Sequence, residues 1–110
     1  FALAFFKHVG LRRPLAKALG GRYGAPVVMN QIETQMIRYF RENWIKGKGR
    51  GIIKPAQAEG AAVAAASALL GLMKWWLESD NASSPEAMAG LYNQIILPGL
   101  ASFLNEKKVL

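Results

Sequence analysis

Apolar positions along this chain are densest between Ala61 and Leu77, in the run AAVAAASALLGLMKWWL. At roughly 100° per residue, Ala62, Val63, Ala65, Ala66, Ala68 and Leu69 surround a helix axis, so the first half of the run has no polar face. Small side chains let neighbouring helices approach closely. Leu69, Leu70, Leu72, Met73, Trp75 and Trp76 then add bulk at the C-terminal end. Such a helix must be covered on more than one side, and in a chain of 110 residues a second copy is an economical cover. A membrane span is the competing reading. The uncharged run from residue 60 to 73 holds 14 residues, short of the roughly 20 that a bilayer requires. A buried helix outside the membrane is therefore expected.

The remaining pattern is helical as well. Phe1 to Val9 reads as the end of a helix, stopped by Gly10. Leu11 to Leu19 reads as a short second helix with Pro14 in its first turn. Gly20 to Gly24 forms a loop. Pro26 opens a long helix to about Lys46, with Val28, Met29, Ile32, Met36, Ile37, Tyr39, Phe40 and Trp44 on one half. Asn30, Gln31, Thr34, Gln35, Arg38, Arg41 and Glu42 lie on the other. Glu33 and Asn43 interrupt the apolar half, and a carboxylate there needs either a partner or the rim. The apolar run belongs to a helix from Pro55 to about Ser79. A last helix from residue 84 to about 104 starts either at Ser83, which with Glu86 makes a capping box, or at Ser84 before Pro85. Pro98-Gly99 should kink or split it, and the tail after Asn105 should fray. No stretch alternates as an amphipathic strand does. The fold class expected is all-α, about five helices in a single domain over 1–110.

Charge adds an asymmetry. The chain carries +7 overall; residues 1–54 hold eleven basic and two acidic side chains, and residues 55–110 three basic and five acidic. A basic half is consistent with nucleic acid or a membrane surface as a direct partner, or with a solvated surface. The stretch KGKGRGIIKP at 46–55 is expected to be mobile and not to be the principal DNA site. It lacks the order of a phosphate loop and the proline of an AT-hook. GGRYG lacks the strand context of a dinucleotide fingerprint. With no cysteine, thiolate sites and disulfides are excluded, and a cytoplasmic location fits. His8 is the lone histidine, with no triad or metal partner of its own kind, and points to a structural or pocket-rim role. No catalytic constellation, cofactor motif or metal site is readable, and no enzyme activity is expected. Phe1 has no Met before it and FALAFF starts without a cap, so the chain is expected to be a piece of a longer parent.

Three segments, FALAFFKHVGLRRPLAKALGG, ALLGLMKWWLES and SPEAMAGLYNQIILPGL, occur in an order that resembles the C-terminal regulatory domain of TetR-family (AcrR-like) bacterial transcriptional regulators. Trp75-Trp76-Leu77-Glu78, Ser84-Pro85-Glu86-Ala87-Met88 and Leu97-Pro98-Gly99-Leu100 carry the likeness most. The resemblance implies an N-terminal helix-turn-helix outside this sequence that reads operator DNA. It also implies a homodimer built on a four-helix bundle of the last two helices from each chain, and an internal pocket for a small lipophilic effector. The loop at 46–54 departs from a generic member.

Taken with the pattern, Leu69, Met73, Leu91 and Ile95 are the expected centre of the dimer interface. Met29, Ile32, Met36 and Phe40 are the expected pocket face. Phe5, Phe6 and Leu15 would cover part of it, Trp75 and Trp76 would close another side, and Glu33 and Asn43 would orient the ligand, Glu33 favouring a cation.

Overall fold

The computed structural model describes residues 1–20, 26–45, 54–79 and 82–109. Among them it shows α1 (Ala2–Leu11), α2 (Arg13–Gly20), α3 (Pro26–Phe40), a π-helical turn over Arg41–Ile45, α4 (Pro55–Glu78) and α5 (Pro85–Val109), with no strand. The all-α fold is the one the periodicity predicts. Most of the basic loop at 46–54, and the GGRYG segment beyond Gly20, lie outside the described residues.

Helix α4 is the spine. Ala62, Ala65, Ala66, Leu69 and Leu77 are at most 1% exposed, and Leu70, Met73 and Trp76 are buried beside them. Helices α2, α3 and α5 all pack on α4, and α1 lies chiefly on α5. Small side chains on α4 make this possible, because an alanine surface admits a neighbouring helix with little side-chain bulk between the axes. Phe6, Phe40, Ile45, Met88 and Tyr92, all at most 2% exposed, fill the space around it. Each such large side chain contributes about 1.5–3 kcal/mol on burial. No charged residue is buried among the described ones. The two buried aromatic rings with polar tips are both satisfied. The Tyr92 hydroxyl donates to the Ala65 carbonyl at 2.7 Å, tying α5 to α4, and Trp76 Nε1 donates to the Ser83 carbonyl at 3.0 Å.

Both α4 and Pro85–Leu104 of α5 are long and apolar enough to cross a membrane by length and composition alone. Inside the domain 44% of the α4 window is buried and 22% of the α5 window, the α5 share resting on Met88, Ala89 and Tyr92 while Leu91, Ile95 and Leu97 stay exposed.

Helix ends follow the local chemistry with three corrections. Gly10 does not stop α1, which runs through it to Leu11. A Cβ at Gly10 would sit 3.4 Å from both Pro85 Cγ and the Trp76 ring, an ordinary van der Waals contact, so the position faces α4 and α5 inside a continuing helix. The helix opened by Pro26 does not continue in α register to Lys46 but widens into the π turn after Phe40. Pro98 does not split the last helix, which continues to Val109. Of the two start signals offered for α5, Ser84 is the one used: its Oγ accepts the Ala87 N–H at 3.1 Å, a standard capping bond.

Two measurements test this packing. Leu69→Ala should lower stability by about 2–5 kcal/mol in urea unfolding, since the site is enclosed and can collapse only partly. Tyr92→Phe should cost about 1 kcal/mol. Burial pushes the Tyr92 phenol above its ordinary value. A raised tyrosine pKa means that its share of stability is present below about pH 10 and is lost as pH climbs above that value. Wild-type stability should therefore fall in that alkaline range, with a shallower fall in Tyr92→Phe.

Candidate functional site

The N-terminal half of α3 borders a cleft of about 720 Å³, lined by Val27, Val28, Asn30, Gln31, Ile32, Thr34, Gln35 and Met36. Among the described residues its wall is α3 alone. Pro26 at the first position starts this helix where a missing N–H costs nothing, and the amide and hydroxyl groups follow at helical spacing beside the apolar ones. The Thr34 hydroxyl donates to the Asn30 carbonyl at 2.9 Å, so its oxygen remains an acceptor toward the cleft. Ile32 and Met36 also touch the core. They join the cleft to the interior.

The sequence-predicted pocket residues separate into three groups. Ile32 and Met36 line this cleft. Phe6 and Phe40 are fully buried in the core, with Phe5 and Met29 packed against it and half-buried. Trp75 is 49% exposed on α4, whereas Trp76 is buried and meets Phe6 edge-on at 5.6 Å. The two tryptophans therefore do not close one side of a single pocket. Glu33 is half-buried and does not border the cleft. Asn43 is exposed and spends its side-chain amide on the Tyr39 carbonyl at 3.0 Å.

The π turn accounts for Asn43. Phe40 and Ile45 are both 0% exposed. Five residues apart, they would diverge on an α-helix, yet they share a face where hydrogen bonds run from i to i+5. The wider turn brings Ile45 inward and leaves Asn43 in water. The turn is tied to α4 by Arg41, whose Nη1 donates to Glu59 Oε2 at 2.7 Å; Glu59, through that hydrogen bond and its charge, raises the Arg41 pKa.

An aromatic stack reaches from this turn to the first residue. Phe1 stacks on Tyr39 at 4.4 Å and meets Phe40 and Trp44 edge-on at 5.4 and 6.1 Å. Pairs of this kind contribute about 0.5–1.5 kcal/mol beyond area burial. The sequence pattern marks each ring as apolar but not their convergence, because α1 and α3 are brought together by tertiary packing.

The expected interface residues also divide. Leu69 and Met73, at 0% and 6% exposure, belong to the core of the single chain and have no surface to offer a partner. Leu91 and Ile95, at 38% and 63%, point outward from α5. A second cleft, of about 380 Å³, lies where α1, α2, the end of α4 and the start of α5 meet. Sequence reasoning did not anticipate it, since its residues come from four helices. Among the described residues no three His, Asp or Glu side chains converge as metal ligands.

The family model for the C-terminal region of transcriptional regulators of the TetR type matches residues 1–98. No curated protein and no solved structure gives a significant match.

Core and cleft positions should respond oppositely to volume changes. Phe6→Ala should cost about 3–5 kcal/mol. Gln35→Trp adds bulk toward open space and should stay within about 0.5 kcal/mol of wild type, as surface substitutions do. Urea denaturation of the two variants reads both.

Proposed function

Because the chain belongs to the family of TetR-type transcriptional regulator C-terminal regions, we propose that it is the effector-sensing and dimerisation domain of such a regulator, a repressor whose hold on operator DNA changes when a small lipophilic molecule binds. Regulators of this family act as dimers that take small-molecule effectors and bind DNA. Here the operator would be read by a helix-turn-helix outside this sequence, in the cytoplasm.

The observation that carries the sensing role is the α3 cleft. It is an open groove of about 720 Å³, within the roughly 300–1,000 Å³ of small-molecule sites but walled among the described residues by α3 alone. Apolar Ile32 and Met36 beside Asn30, Gln31, Thr34 and Gln35 suit a neutral, amphipathic compound better than a cation. A thioether adapts to varied shapes. Helix α3 leads through the π turn to the stack on Phe1, so a ligand that favours one position of α3 would bias the start of the chain.

Dimerisation draws support from shape. The radius of gyration is 14.9 Å, against about 13 Å for a compact domain of this length. The accessible surface is 6830 Å², against about 6,000 Å² for a compact monomer of this mass. Gly60, Ala64, Ser67 and Gly71 form an exposed stripe of small residues on α4, and Leu91 and Ile95 are exposed on α5. A two-fold axis across α4 and α5 would make a self-complementary four-helix bundle, with its centre at these residues instead of Leu69 and Met73.

Thermal-shift measurements against neutral, cationic and anionic lipophilic compounds test the sensing role. Neutral amphipaths should stabilise the protein by several degrees, and Gln35→Trp should abolish the effect; no stabilisation by any class would refute it. For the dimer, sedimentation at micromolar concentration should give two chains for the wild type and one for Gly71→Arg/Ile95→Arg. A monomeric wild type would sink that part.

A further inference from the structure

The second cleft, bordered by Lys7, Gly10, Leu11, Arg13, Trp76 and Pro85, has a different chemistry from the α3 cleft. Its floor is apolar and fixed. Trp76 is 2% exposed and held by its bond to the Ser83 carbonyl. The glycine at position 10 keeps the floor open, since a Cβ there would already touch Pro85 and Trp76. Leu11 is 83% exposed at the edge, an apolar side chain with no cover of its own. Over this floor Arg13 is preorganised twice. Its Nη2 donates to the Trp76 carbonyl at 2.8 Å, and its guanidinium lies 4.8 Å from the Trp76 ring centroid. The bond to Trp76 uses one of five N–H groups, and a guanidinium held by a ring face presents its edge to a carboxylate in fork geometry. Lys7 stands on the same rim. Its opposing charge is Glu86 at 3.9 Å, and both side chains are more than half exposed, so the pair is loose.

We propose that this cleft is a second small-molecule site that takes an aromatic carboxylate, the ring lying on the Leu11–Pro85 surface above the buried Trp76 and the carboxylate held by Arg13 with help from Lys7. Its volume of about 380 Å³ is at the small end of ligand sites and suits one or two fused rings. The inference goes beyond the sensing role assigned to α3 and stands without it.

Calorimetric titration with naphthoate, and with naphthamide as the neutral isostere, tests it. Naphthoate should bind at least tenfold more tightly than the amide. Arg13→Gln should weaken it at least tenfold, and Lys7→Gln a few-fold. Gly10→Leu, which fills the floor without touching a charge, should abolish binding while circular dichroism stays helical. Gln35→Trp should leave it unchanged. Equal affinity for acid and amide, or full binding by Gly10→Leu, would overturn the proposal. Loss of binding in Gln35→Trp would place naphthoate on α3 and overturn it equally. Should Arg13→Gln unfold, because Arg13 also ties α2 to α4, the glycine variant and the amide control decide the matter.

Discussion

Close approach to α4 is the constraint on which the other elements depend. Ala62, Ala65 and Ala66 are all but inaccessible to solvent, and they leave room for neighbours only because they lack bulk. The bulk is supplied instead by side chains reaching in from the surrounding segments: Phe6 from α1, Phe40 and Ile45 from α3 and its π turn, Met88 and Tyr92 from α5. This division explains why the core holds no charge and needs few polar bonds. The buried hydroxyl and indole N–H each find a backbone carbonyl, while Glu78 Oε1 is buried without a hydrogen-bond partner among the described residues. In a protein interior packed as densely as an organic crystal, one added methyl on the spine would have to be accommodated by several neighbours at once.

Much of this was legible in the sequence, for identifiable reasons. Pro26, Pro55 and Pro85 each open a helix, since a missing N–H is harmless at a first turn. The run at 61–77 announces burial because no face of it is polar. What could not be read depends on contacts between distant segments. Gly10 looks like a terminator until Pro85 and Trp76 are seen against it. Leu69 and Met73 look available for a partner until they are seen buried in the core of the single chain. A wheel drawn at a constant 100° per residue cannot place Ile45 beside Phe40. It misassigns Asn43 for the same reason.

The candidate site shows the same limit. The apolar half of α3 carries Ile32 and Met36, which border the groove, but periodicity reports where neighbours are needed and not where a groove is left. The polar residues Asn30, Gln31, Thr34 and Gln35 read as a solvated face, and in the fold they are exposed along the open groove. The basic excess of the N-terminal half likewise resolves into separate tasks. Arg13 caps an orphan carbonyl near the end of α4 and stacks on a ring; Arg41 pairs with Glu59 across two segments; Arg12 Nη1 lies 3.1 Å from His8 Nδ1 within one turn.

The π turn also bears on how the length of this chain can change over evolutionary time. A turn closed from i to i+5 holds one residue more than an α-turn, so Arg41–Ile45 is topologically an α-helix carrying a single insertion. Deleting one residue between Phe40 and Ile45 would return the segment to ordinary register with both apolar anchors still on one face, four apart. Elsewhere in α3 or α4 the same deletion would rotate everything downstream by about 100° and turn the core set into water. Within the helical run from Pro26 to Ile45, single-residue length variation thus preserves the buried face at this turn.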